Sequence, residues 1–123
     1  MKFSAKITAI GELAGSFLTE PEMKSIVLFN DNAPAELAEI SVLHTRSEVY
    51  LAPAVGDQLV IGEKVFDITA VGDEAVKTLK ELGHCTIVFK GGDTPERPGC
   101  IMVQGEAALA EADLTVGNVI EIY

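Results

Sequence analysis

The chain has 123 residues, 48% of them apolar, and carries 19 acidic against 9 basic side chains for a net charge of −10. That length fits one compact domain burying about two-thirds of its unfolded surface, with a core that needs no metal or disulfide. The acidic balance repels phosphate backbones and anionic lipid, setting nucleic-acid binding and membrane-surface binding aside, and no segment approaches the ~18 continuous apolar residues of a membrane span.

Lys2 to Ile10 alternates in part and is closed by Gly11, which predicts a half-buried first strand. The Gly- and Pro-punctuated stretch from Gly15 to Pro21 reads as a loop, and Ser25 to Phe29 as the second strand. Asn30-Asp31-Asn32 supplies turn chemistry, and Pro34 to Ala38 suits a single helical turn. A third strand is expected from about Glu39 to His44, extending toward Leu51, with Ile40, Val42 and His44 on one face. Gln58–Ile61 and Lys64–Val71, separated by Gly62-Glu63, predict a hairpin. The one convincing helix lies over about 73–82, with Asp73 as its cap and Gly83 as its stop. His84–Lys90, Cys100–Gln104 and Val119–Ile122 complete the strands. The fold class is therefore mainly β: a single-domain β pseudobarrel of short strands with one short helix (about 73–82), no linker and no internal repeat.

Two histidines are the residues of chemical interest. His44 ends the apolar run Ile40–Leu43 and opens the polar cluster Thr45-Arg46-Ser47-Glu48. A strand-end imidazole with its ring reachable and hydroxyls and a guanidinium nearby suits a neutral nucleophile that takes and gives up an anionic group. Such a ring attacks through one nitrogen while the other keeps its proton on an acceptor: Glu39, Glu48 or a backbone carbonyl. Arg46 offers fork-shaped donors to phosphate oxygens, or is a solvated surface residue; Thr45 offers a hydroxyl. His84, just past the helix, either stands across a cleft from His44 or interacts with the helix C-terminal carbonyls.

Cys85 alternates with Ile87 and Phe89 and belongs in the core, and neither Cys85 nor Cys100 sits in a CxxC pair. No metal-ligand spacing, no GxxxxGK[ST] and no G-x-S-x-G occurs, so no metal, no cofactor and no nucleotide is expected. Met1 to Lys6 lacks the apolar stretch of a secretory signal, and the expected location is cytoplasmic.

Asn32-Ala33-Pro34-Ala35-Glu36-Leu37, the strand ending in Leu43-His44, Thr69-Ala70-Val71-Gly72, Leu79-Lys80-Glu81-Leu82-Gly83-His84-Cys85-Thr86, Phe89 with Gly91, and Pro98-Gly99 together carry a likeness over nearly the whole chain. The sequence resembles the EIIA component of the glucitol/sorbitol phosphotransferase system, a bacterial sugar-uptake pathway. The resemblance implies a β pseudobarrel and a phosphocarrier in which His44 receives a phosphoryl group from the phosphocarrier protein HPr. The group would then pass to a cysteine of EIIB, and the EIIB/EIIC permease would phosphorylate glucitol or sorbitol on entry. The domain would meet the membrane only through that permease. His84, Arg46 and Thr45 are the supporting candidates. Some relatives carry a second histidine two positions after the first, followed by glycine; this chain has Arg46 and Ser47 there. Outside the resemblance, the alternative is a non-catalytic small β-barrel binding or regulatory module.

Overall fold

Period-two burial closes this sheet on itself. In the computed structural model, which describes residues 1–123, β1 (Phe3–Ile10) turns Phe3, Ala5 and Ile7 inward and leaves Lys6 and Thr8 to solvent. The elements that follow are α1 (Ala14–Thr19), β2 (Ser25–Asn30), α2 (Ala35–Ala38), β3 (Val42–His44), β4 (Gln58–Ile61) and β5 (Lys64–Val71). Then come α3 (Ala75–Leu82), β6 (Cys85–Val88), β7 (Cys100–Gln104), a 3-10 turn (Glu111–Asp113) and β8 (Val119–Ile122). The strands close a barrel in the order β1-β3-β2-β6-β7-β5-β4-β8, antiparallel throughout except for the parallel pairs β2·β3 and β6·β7. Closure leaves no strand edge to pair with another chain. The barrel interior is aliphatic, built on Ile7, Ile26, Leu28, Leu59, Ile61, Ile87, Ile101 and Ile120, with Phe3 and Phe66 as its large fillers.

The register reveals an internal repeat, which the sequence had not led us to expect. Ile7-Thr8-Ala9-Ile10-Gly11 in β1 and Ile68-Thr69-Ala70-Val71-Gly72 in β5 occupy equivalent places. Both strands slip register between the isoleucine and the alanine, and both lead into a helix whose first residue, Ala14 or Ala75, is fully buried. Both glycines lie against a crossing backbone: a Cβ on Gly11 would stand 2.2 Å from the Ala38 carbonyl oxygen, and one on Gly72 2.1 Å from that of Pro98. The glycines opening the preceding strands match too. Gly56 (φ 96°) donates its N–H to Ile68 O at 2.9 Å, and Gly117 (φ 94°) to Ile7 O at 2.8 Å. In each unit the last strand slots between two earlier ones: β3 between β1 and β2, β7 between β5 and β6. One unit is therefore β4 to β7 and the other is β8 followed through the barrel by β1 to β3. The matches are short, and the second unit is split in sequence between the two ends of the chain, which conceals it from a search for tandem repeats.

Other local differences have physical causes. The stretch read as a loop from Gly15 forms α1, whose buried Ala14 anchors it to the barrel. The third strand stops at His44 rather than running toward Leu51, because beyond Thr45 the backbone makes only an isolated bond, from Tyr50 N–H to Lys2 O. Asp73 does not cap α3. The Pro98 carbonyl instead accepts from both Glu74 N–H (2.9 Å) and Ala75 N–H (3.0 Å), satisfying the helix start from across the fold. Gly83 does stop the helix, in the left-handed region at φ 65°.

Candidate functional site

His44 occupies the last position of β3, opposite Ile7 on one side and Asn30 on the other. Its ring is sealed: the residue is 0% exposed, which corrects the expectation of a reachable imidazole. Three pieces of chain cover it. Phe3 packs edge-on, with ring centroids 5.7 Å apart and planes at 89°. Thr45 curls back so that its carbonyl oxygen lies 2.8 Å from Nδ1. The junction of α3 and β6 brings the Gly83 carbonyl oxygen to 2.8 Å from Nε2.

That approach depends on the missing side chain at Gly83. A Cβ there would meet Asn30 Oδ1 at 2.0 Å and His44 Cε1 at 2.7 Å. The acceptors left open by the sequence, Glu39, Glu48 or a backbone carbonyl, thus resolve to backbone carbonyls alone, and both carboxylates are exposed. A neutral imidazole has one N–H and can donate to only one of the two oxygens.

The remaining candidates are arranged differently from the expectation. Thr45 reaches the ring through its carbonyl, because its Oγ1 accepts from Lys6 N–H at 3.0 Å. Arg46 lies outside the strand with its side chain 69% exposed, and its Nε stands 3.7 Å from Asp31 Oδ1 rather than over the imidazole. His84 does not face His44 across a cleft. Its ring packs on Phe29 at 4.9 Å, and its Nδ1 lies 3.1 Å from the carbonyl oxygen of Leu28 in β2, not from the helix carbonyls. The two histidines are joined through Gly83, whose carbonyl belongs to the peptide that supplies the His84 N–H. Gly83 and Asn30, read from the sequence only as a helix stop and a turn residue, and Phe3, read only as part of a strand, are the residues around the ring that the sequence did not assign to the site. A glycine at a helix stop directly followed by histidine was the available signal.

The cysteines serve packing. Cys85 and Cys100 are both buried and unbridged, and burial, with Cys100 close by, pushes the Cys85 thiol up to about 12. No group of three or more His, Cys, Asp or Glu side chains converges in a way that would hold a metal ion, and no helix is long and apolar enough to cross a membrane.

The barrel has a counterpart among solved structures, the PTS system IIA component from Enterococcus faecalis V583. That structure superimposes with a TM-score of 0.72 at 24% identity, over 96% of this chain and 97% of the other, a likeness of fold. The family model of the PTS system glucitol/sorbitol-specific IIA component matches residues 2–121. The glucitol/sorbitol-specific EIIA components of Shigella flexneri and Escherichia coli (strain K12) are each 33% identical over 119 residues, covering 97% of this chain and 92% of theirs. The chain belongs to the glucitol/sorbitol-specific IIA family of the phosphotransferase system. It is thus a component of a phosphotransferase system and works with the other components of that system.

Proposed function

We propose that this chain is a cytoplasmic phosphocarrier, a single domain over residues 1–123. His44 accepts a phosphoryl group from phosphorylated HPr and passes it to a cysteine of the EIIB component for uptake and phosphorylation of glucitol or sorbitol through EIIB/EIIC. The observation that carries this reading is the placement of His44. In a family member matched along nearly its whole length, it is the one histidine fixed at a strand end with both ring nitrogens oriented by backbone. An oriented imidazole attacks in line and needs only charge stabilisation on the transferring oxygens, which is most of what phosphoryl transfer asks of a protein.

In each step the bond from phosphorus to the donor nitrogen breaks and leaves its electron pair on that nitrogen. The lone pair of His44 forms the new P–N bond, and the thiolate of the acceptor cysteine later displaces it. Arg46, exposed and beside Asp31 in the resting protein, would have to swing toward the ring to supply positive charge, while Thr45 frames the nucleophile and His84 holds the Gly83 segment in place through Leu28 and Phe29. One observation favours the rival reading, a β-barrel binding or regulatory module without transfer: the complete burial of the ring.

Incubation of the pure protein with HPr, its upstream kinase and labelled phosphoenolpyruvate separates the two. An acid-labile, base-stable adduct on wild type that is lost in His44→Gln supports the relay. Absence of an adduct on wild type, or a His44→Gln variant labelled as fast as wild type, refutes His44 as the carrier. Glutamine is chosen because its amide can still donate to one of the two carbonyls, which spares the fold.

A further inference from the structure

The repeat gives the His44 station a counterpart, and the counterpart is open. Val103 pairs with Ile68 as His44 pairs with Ile7, so Gln104 and Gly105 hold the places of Thr45 and Arg46. Phe3 packs on the His44 ring. Its place is taken in the β4–β7 unit by Lys64, which pairs with Ile61 as Phe3 pairs with Ile122. The Lys64 ammonium is engaged by Asp113 Oδ2 at 2.6 Å and the Ala108 carbonyl at 2.7 Å, propping the chain after β7 as a wall. Gly105 adds no side chain there: a Cβ would stand 2.8 Å from Phe66 Cδ1. What remains is a cavity of about 290 Å³, close to the ~300 Å³ at which small-molecule sites begin.

The cavity has an apolar floor and a rim of both charges. Phe66, almost fully buried, meets Phe89 edge-on with ring centroids 5.0 Å apart, and Leu18 and Leu109 complete the floor. Lys24 lines the rim from the junction of α1 and β2, at the place His84 holds in the other unit, since Ser25 pairs with Val88 as Cys85 pairs with Leu28. It is the one residue other than glycine with a positive φ, 41°. Its N–H donates to Glu20 O at 2.9 Å and its carbonyl accepts from Phe89 N–H at 2.8 Å, so that costly backbone is fixed from both sides. Glu106 and Gln104 line the cavity too, and with Asp67 they also line the polar cleft adjoining it, which Lys24 does not reach. The four ion pairs of the chain use none of Lys24, Asp67 or Glu106.

An ammonium, a separate carboxylate end and an aromatic floor are matched together by a ligand with both charges and an apolar body. A polyol offers hydroxyls to the rim and nothing to the floor. We propose that this cavity binds a free amino acid with an apolar or aromatic side chain, its carboxylate on Lys24, its ammonium on Glu106 and Asp67, and its side chain on Phe66 and Phe89. The site lies outside the His44 station and does not depend on the phosphocarrier reading.

The test titrates the full 15N-labelled chain with L-phenylalanine, phenylpropionate, phenethylamine and glucitol, followed by 1H–15N correlation. Expected is a saturable shift of the Lys24, Phe89 and Gln104 to Leu109 amides with L-phenylalanine, with those of His44 and Gly83 unmoved. Phenylpropionate and phenethylamine, each lacking one charge, should need roughly three- to fivefold more ligand for half-saturation, the scale of one exposed ion pair. Glucitol should leave the spectrum in place. No saturable shift with L-phenylalanine overturns the site, equal binding of all three phenyl compounds overturns the two-charge assignment, and saturable binding of glucitol here overturns the ligand class. Lys24→Asn keeps a residue that tolerates left-handed backbone and should weaken L-phenylalanine by the same three- to fivefold; wild-type affinity in that variant overturns the part given to the ammonium.

Discussion

Gly83→Ala should be among the most damaging single-methyl additions in this chain, and its cost can be divided. The residue sits at φ 65°, where an L side chain costs about 1–2 kcal/mol. The added Cβ would also fall 2.0 Å from Asn30 Oδ1 and 2.7 Å from His44 Cε1, forcing both side chains out of place at about 1–3 kcal/mol. The sum, about 2–5 kcal/mol, is a large share of a typical domain stability of ~5–15 kcal/mol. It corresponds to a fall in Tm of roughly 8–20 °C at about 4 °C per kcal/mol. Gly56→Ala is the internal control: φ is 96° and nothing stands within 4 Å of its Cβ position, so only the backbone part applies. Gly83→Ala combined with Asn30→Ala should recover part of the crowding term. Thermal melts and urea titrations of the four proteins measure each part. A Gly83→Ala variant no less stable than Gly56→Ala would refute the close packing of this glycine on the His44 ring.

Arg46→Ala should change stability by less than about 0.5 kcal/mol, because its partner Asp31 lies 3.7 Å away and the two side chains are 69% and 38% exposed; a larger loss in a urea titration would place Arg46 in the packing. Acid should weaken the fold through two other carboxylates. Burial alone would raise the Asp57 carboxyl, but the Lys2 ammonium at 2.6 Å and the Ala54 N–H outweigh it and hold it below the usual range. The Lys64 hydrogen bond, with the Ala110 N–H, lowers Asp113. Both folded carboxyls bind protons less readily than the unfolded chain does. Their contribution, about 0.5–1 kcal/mol per pair, is therefore present above pH ~3.9 and lost as pH falls through the depressed folded values. Stability measured by urea from pH 6 downward should fall less steeply in Asp57→Asn combined with Asp113→Asn, and an unchanged slope would refute the assignment.

The strands were legible because they are short apolar runs bounded by turn residues. Ser25–Phe29, Gln58–Ile61, Lys64–Val71 and Cys100–Gln104 carry their own boundaries, and Gly83 announced the end of α3 by its place after Leu82. What escaped was set by tertiary contact. The start of α3 is satisfied by the Pro98 carbonyl from a loop far along the chain, which no local cap motif reports. The end of β3 looked open because the residues after His44 are polar, yet burial there comes from Phe3, from Gly83 and from a carbonyl one residue away. His44 was therefore legible as a residue and illegible as an environment. Arg46 illustrates the same limit: its parity with His44 matters only if the strand continues, and hydrogen bonding ends the strand at the histidine.

The repeat gives the barrel a control experiment of its own. Ile7 faces His44 across one pair of strands, and at the corresponding station Ile68 faces Val103, fully buried and purely aliphatic. One half of the molecule thus displays how this architecture closes when no imidazole is asked of it, while its twin keeps the same bulge and the same crowded glycine and seats a histidine at the spot. Valine placed at position 44 would copy the side chain its twin station already uses, and the stability lost by leaving the Gly83 and Thr45 carbonyls without the ring would measure what this half gives up to hold an imidazole.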